Sequence, residues 1–166
     1  MLVVINAGSS SVKFSVYDPQ SLDRVESGQA FVRDDRVYLQ AQSISGQPIE
    51  HETLMAETEH DRSMVLLHAI CELLADQFAS PQAIVHRVVH GGETFSSPVV
   101  VTAEIREQLE LLIDLAPLHQ PVNLAGIDVF AEAYPGITQI ACFDTAFHVG
   151  QSLLETSYAL PESVRA

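Results

Sequence analysis

The sequence predicts a mixed α/β domain in which a β-meander opens the sheet and parallel strands, covered by helices, complete it. Three observations carry that expectation. Strand-like apolar runs occupy residues 2–43, and helical spacing begins only after residue 60. Two nearly continuous apolar runs, Ala83–Val89 and Ile137–Phe143, each follow a segment of helix length. Such runs mark parallel strands buried on both faces and reached by crossover helices.

The first strand, Leu2–Ile5, stops at Asn6, and a turn of small residues (Ala7 to Ser11) leads into a returning strand, Val12–Tyr17. Arg24–Arg33 and Arg36–Ser43 read as two further strands joined by Asp34-Asp35, and residues 45–59 are polar and without pattern. Met64, Leu67, Cys71, Leu74 and Phe78 then fall at helical intervals, with Asp61 as the start and Ser80-Pro81 as the stop. His68 lies in the same stripe and is expected to pack there. After Ala83–Val89 come two more helices. Ile105, Leu109, Leu112 and Ile113 line one, which stops before Pro117; Val122, Gly126, Val129, Phe130 and Ala133 line the other, which ends at Tyr134-Pro135-Gly136. The last buried strand, Ile137–Phe143, runs into Asp144. A meander followed by right-handed crossovers is a ribonuclease-H-like layout. Ligands of open α/β sheets gather beyond the carboxyl ends of the strands, where Asn6, Arg87 and Asp144 would meet.

Composition narrows the function. The chain has 166 residues, the size of one domain, with 8 basic against 22 acidic residues and a formal charge of −14. That charge repels nucleic acid and anionic membrane surfaces. Any small anion must be met by locally placed cations, and Lys13 is the only lysine. Cys71 and Cys142 lack metal-ligand spacing and are expected as buried, reduced thiols. No signal segment and no long apolar run is evident, so the expected location is cytoplasmic.

Three stretches carry chemistry. The turn Asn6-Ala-Gly-Ser-Ser-Ser-Val-Lys13 presents backbone N–H groups, the hydroxyls of Ser9 and Ser11 and one ammonium to a single region, as phosphate sites do; most such turns only reverse the chain. In His86-Arg-Val-Val-His-Gly-Gly-Glu93, alternation puts Val85, Arg87 and Val89 on one strand face. A guanidinium in a buried run needs an anion, either a ligand carboxylate or phosphate or one of the chain's own acids. Asp144 could ligate a divalent cation or cap the next segment, and His119, between two prolines, could hydrogen-bond developing charge or simply face solvent. Asn123, near the start of the third helix, reads as a helix cap.

Taken together, Asn6–Lys13, His86–Glu93, Ala116-Pro-Leu-His119, Pro121-Val-Asn123 and Phe143-Asp-Thr-Ala-Phe-His148 resemble the acetate kinase family, which includes propionate and butyrate kinases and belongs to the sugar kinase–actin–Hsp70 superfamily. The resemblance implies an actin-like ATPase domain and the reaction ATP + acetate = ADP + acetyl phosphate, with Mg²⁺. It implies that Asn6, Ser9, Ser11 and Lys13 serve the phosphates, and Asn6 and Asp144 the metal. Arg87 would hold carboxylate and transferring phosphoryl, Val89 and Leu118 would wall the acyl pocket, and His119 would steady the transition state. Two local departures are Val85, where the family has Gly, and Val149-Gly150 after the final motif. A larger one is length. Family members run to two domains, and the Gly-Phe-His-Gly-Thr-Ser-His motif, a second arginine and the adenosine-binding motifs have no counterpart here. Residues 1–150 are therefore expected to form the family's N-terminal domain and 151–166 the start of a connection to a second, absent one. Weak or no activity alone, a homodimer or a C-terminal partner, and exposed apolar residues (Leu153, Leu154, Tyr158, Leu160) are expected with it. Two alternatives remain: half of a split kinase, and a non-catalytic binding module. Acetate and propionate are not distinguished as substrates.

Overall fold

A computed structural model describes residues 1–34, 36–43, 48–53 and 59–164. Asp35 of the expected Asp34-Asp35 turn, much of the polar stretch 45–59 and the last two residues of 151–166 lie outside the described residues.

The meander comprises β1 (Leu2–Ala7), β2 (Ser11–Tyr17), β3 (Arg24–Arg33), β4 (Arg36–Ser43) and β5 (Pro48–Thr53). The alternating half follows: α1 (Glu59–Gln77), β6 (Ala83–Val88), β7 (Val99–Val100), α2 (Ala103–Glu110), α3 (Gln120–Ala133), β8 (Thr138–Phe143) and the short α4 (Leu153–Thr156). All eight strands share one sheet in the order β5-β4-β3-β2-β1-β6-β8-β7. Neighbours from β5 to β1 are antiparallel, β1-β6 and β6-β8 are parallel, and β7 closes the edge antiparallel to β8.

Four elements depart from the sequence expectation. β5 forms within the polar stretch, held by backbone pairing from Val37↔Thr53 to Gln42↔Pro48; an edge strand needs no apolar pattern, and its proline sits at its first position. β7 is only two residues long. The second helix ends at Glu110 and gives way to a 3₁₀ turn at Ile113–Leu115, while α3 starts earlier than expected, with Pro121 in its first turn.

Alternation divides the sheet into two unlike faces. Val3, Ile5, Val12, Phe14, Val16, Ile84 and Ala30 turn to one side and pack with Leu66, Leu67, Ile70 and Leu74 of α1 and Val129 and Phe130 of α3. A second cluster on that side joins Val88, Ala141 and Phe143 to Leu109, Leu124 and Ile127. The opposite face carries Ser15, Ser27, Gln29 and Gln40 on the antiparallel half, but half-buried Leu2, Val4, Val85, Ile140 and Cys142 on the parallel half. Among the described residues no helix covers it, so the parallel strands are covered on one face, not both. His68 is exposed, its Nδ1 2.8 Å from the Met64 carbonyl, and does not pack in the stripe. Cys71 is buried as expected; Cys142, on the open face, is only half-buried. No described helix is long and apolar enough to cross a membrane.

Candidate functional site

The carboxyl ends of β2's partner β1, of β6 and of β8 bring four chemistry-bearing residues into one row on the open face. Lys13 and Asn6 are cross-strand partners. Arg87 Nη1 donates to Asn6 Oδ1 at 2.9 Å. Its Nε donates to both Asp144 carboxylate oxygens at 2.9 and 3.1 Å, and Nη2 donates to Oδ2. Lys13 is exposed, and the Arg87 and Asp144 side chains keep 49% and 40% of their surface in water. The hydrogen bonds to Asp144 push the Arg87 pKa up from an already high value, so the guanidinium stays charged. The buried arginine foreseen in the sequence is thus not buried: β6 hides Ile84, His86 and Val88 and leaves Val85, Arg87 and Val89 on the uncovered side. Asp144 opens a 3₁₀ turn without a side-chain cap bond, and no group of three or more His, Cys, Asp or Glu able to hold a metal exists among the described residues.

Of the remaining expected residues, Ser9, Leu118 and His119 form a second group on the helix side of the same edge. The turn between β1 and β2 is closed by the Gly8 N–H on the Ser11 carbonyl at 3.0 Å, which leaves Ser9 and Ser10 exposed. A cavity of about 840 Å³ opens between this turn, Val32 and Asp34, the start of α1, and Pro117, Leu118 and His119. Arg87, Lys13 and Asp144 do not line it. Leu118 is 75% exposed, and His119 occupies the N-cap position of α3 without capping it through its side chain. Val89 is half-buried and Ser11 half-buried at the head of β2. No described hydrogen bond joins His119 to the Arg87 row.

Asn123 links the two groups, and the cap foreseen for it is wrong. It is 3% exposed. Its Nδ2 donates to the Ala7 carbonyl at 2.8 Å, and its Oδ1 accepts the Val89 N–H at 3.0 Å. The nearby Gln120, fully buried, donates to the carbonyls of His90 and Leu109. Thr145 Oγ1 accepts the Gly91 N–H at 3.0 Å and ties the β6 exit to the β8 exit. The sequence reading named Asn123 only as a cap and passed over Gln120. An Asn and a Gln four and one residues beyond a candidate histidine were the available signal.

His86, between two site-bearing positions, is structural. It is 2% exposed, and its Nε2–H donates to Gln139 Oε1, whose amide is oriented by its own bond to the Ile127 carbonyl. Burial lowers its pKa to about 4, so the ring is neutral near pH 7.

The Acetokinase family model matches residues 1–166. Acetate kinase of Rhizobium meliloti is 41% identical over 98% of this chain, and that of Geobacillus sp. (strain WCH70) is 37% identical over 96%. Among solved structures, Porphyromonas gingivalis acetate kinase superposes with a TM-score of 0.79 at 32% identity over 98% of the chain, and a propionate kinase from Francisella tularensis with 0.76 at 32% over 98%. The chain spans only 40–42% of the length of these proteins.

Proposed function

The chain belongs to the acetokinase family, and on that premise we propose that it supplies the carboxylate- and phosphoryl-binding half of an acetate kinase-type phosphotransferase. The observation that carries the reading is the row Lys13–Asn6–Arg87–Asp144. On a chain of net charge −14, two cations stand together at the carboxyl edge of a parallel sheet, one of them forked on two oxygen-bearing side chains. Phosphoryl transfer asks for little beyond positioning and charge stabilisation, and this row offers both.

In the proposed reaction a carboxylate oxygen of acetate or propionate forms a bond to the γ-phosphorus of ATP as the bond to the ADP oxygen breaks. Arg87 holds the carboxylate and the moving phosphoryl oxygens, for which its planar fork is suited. Lys13 and the hydroxyls of Ser9 and Ser11 take the phosphate oxygens. His119 donates to charge developing on the phosphoryl group, and Val89 and Leu118 exclude water around the acyl chain. Asn6 and Asp144 supply the oxygen ligands that a hard divalent cation takes, and both now accept hydrogen bonds from the Arg87 guanidinium, Asn6 from Nη1 and Asp144 from Nε and Nη2. Mg²⁺ bound there would neutralise phosphate charge during transfer.

Residues 1–150 act in this reading as one domain, with 151–166 leading towards the polypeptide that completes the enzyme. Two features support a missing contribution: the uncovered apolar half of the sheet, and Phe147, Leu153, Leu154 and Tyr158, each more than 80% exposed. The test is acyl-phosphate formation, trapped as hydroxamate, from acetate or propionate with MgATP. The chain alone is expected to be inactive or feeble, and to gain activity when the remaining part of a family member is supplied. Failure to gain it, with folded partners, would leave a binding module and overturn the proposal.

A further inference from the structure

We propose that Asn123 is the positioning residue that locks the two groups of site residues into one arrangement. The inference rests on reading the edge as a phosphoryl-transfer site, and it names the part that makes the site one unit.

The parallel ladder between β1 and β6 ends at Ile5↔His86. Past that point the two strand ends carry Asn6 and Ala7 on one side and Arg87 and Val89 on the other. Two pins hold them together. On the open face, Asn6 Oδ1 accepts from Arg87; on the helix face, the Asn123 amide donates to the Ala7 carbonyl and accepts the Val89 N–H. Only the second pin is buried, and a buried, fully used amide resists competition from water and from ligands. The Asn123 backbone N–H also donates to the His119 carbonyl at 3.0 Å. One residue therefore touches the segment leading into the Ser9 turn, the segment after Arg87, and the histidine at the head of α3.

The chemistry explains why an amide is needed. One donor and one acceptor must face two different strands at the same moment. A carboxylate keeps the bond from Val89 but sets an oxygen against the Ala7 carbonyl; an apolar isostere keeps the packing and loses both bonds.

The experiment uses the ¹⁵N-labelled chain, with Asn123→Leu, Asn123→Asp and Val129→Ala. The last opens a hole in the same helix without touching either strand end. In Asn123→Leu, exchange of the Val89 amide is expected to rise by at least ~10-fold, and the Ser9 and Arg87 Nε–H resonances to move. In Asn123→Asp the Val89 amide stays protected while the Ser9 turn shifts. Val129→Ala lowers the thermal midpoint and leaves all three signals in place. Acetyl phosphate is then titrated as the probe. Its affinity is expected to fall by about 10- to 100-fold in Asn123→Leu, the scale of a small misplacement of binding groups. If Asn123→Leu moves only the thermal midpoint, or moves the same signals as Val129→Ala, the residue is merely structural and the inference fails. If wild type gives no response to acetyl phosphate, the functional reading fails for the isolated chain, whereas exchange and resonance positions still decide the role of Asn123.

Discussion

Acidification should unlock this fold through His86, and the size of the effect follows from its surroundings. The ring lies under α3, edge-on to Phe130, with its Nδ1 side towards Gly126 and its Nε2–H committed to Gln139. A second proton would place a charge among apolar groups. The pKa is accordingly lowered from 6.5 to about 4. A group depressed in the folded state contributes stability that is present above its unfolded pKa and lost as pH falls towards the folded one. Between pH 7 and pH 5 the loss is about 2 kcal/mol, approaching about 3 kcal/mol below pH 4. Glu26 opposes it: this buried carboxyl, opposite Val16, has its pKa raised by burial, so its penalty disappears as pH falls through that raised value.

The assay is urea unfolding at pH 7 and pH 5 in a Glu26→Met background, with and without the paired change His86→Leu and Gln139→Leu. Removing both partners avoids stranding either one in the core. The chain with His86 should lose about 2 kcal/mol more between the two pH values than the chain without it. Equal losses in both would show that His86 takes up its proton without penalty, and would refute the argument from burial.

Glu26→Met should by itself raise stability at pH 7 by about 1 kcal/mol, because one carboxylate oxygen of Glu26 has no partner; chemical denaturation measures it. Gly28→Ala should cost about 2 kcal/mol or more, since a Cβ there would sit 2.5 Å from the Gln40 carbonyl and 2.6 Å from the Phe14 ring; thermal unfolding reads the loss. Arg87→Ala should change stability by less than about 1 kcal/mol, because its ion pair is solvated, yet abolish acyl-phosphate formation in the completed enzyme by the hydroxamate assay.

What was legible in the sequence was whatever leaves a periodic or chemical mark. Strands β1 to β4, β6 and β8 have one buried alternate face, and α1 and α3 have apolar stripes, so burial wrote itself into residue order. β5 and β7 left none: both are edge strands defined by backbone pairing. Arg87, Asn6 and Asp144 were recognisable as a group because strand ends of a parallel sheet share an edge. Their mutual contact was not, since a side-chain fork on a carboxylate 57 positions away has no sequence signature. Asn123 was misread for a related reason. A polar residue in a first helical turn is ordinarily a cap, and only the tertiary approach of β1 and β6 gave this amide two better partners.

The energetics of the Arg87 pair separate a stabilising role from a binding one. With about half of each side chain in water, the attraction to Asp144 is screened, and pairs of that kind contribute about 0–1 kcal/mol. The fold therefore gains little from keeping Arg87 on Asp144, and a phosphate oxygen can displace the carboxylate at small cost. Displacement has a second effect: it frees the oxygens of Asp144 and Asn6 in the same movement that places an anion beside them. The buried amide of Asn123 makes that exchange local, because it holds the strand ends apart from the open-face contacts that must break. A rigid frame on one side of the sheet and a weak, solvated pair on the other is the division of labour that the proposed binding of an anion and a cation at this edge would require.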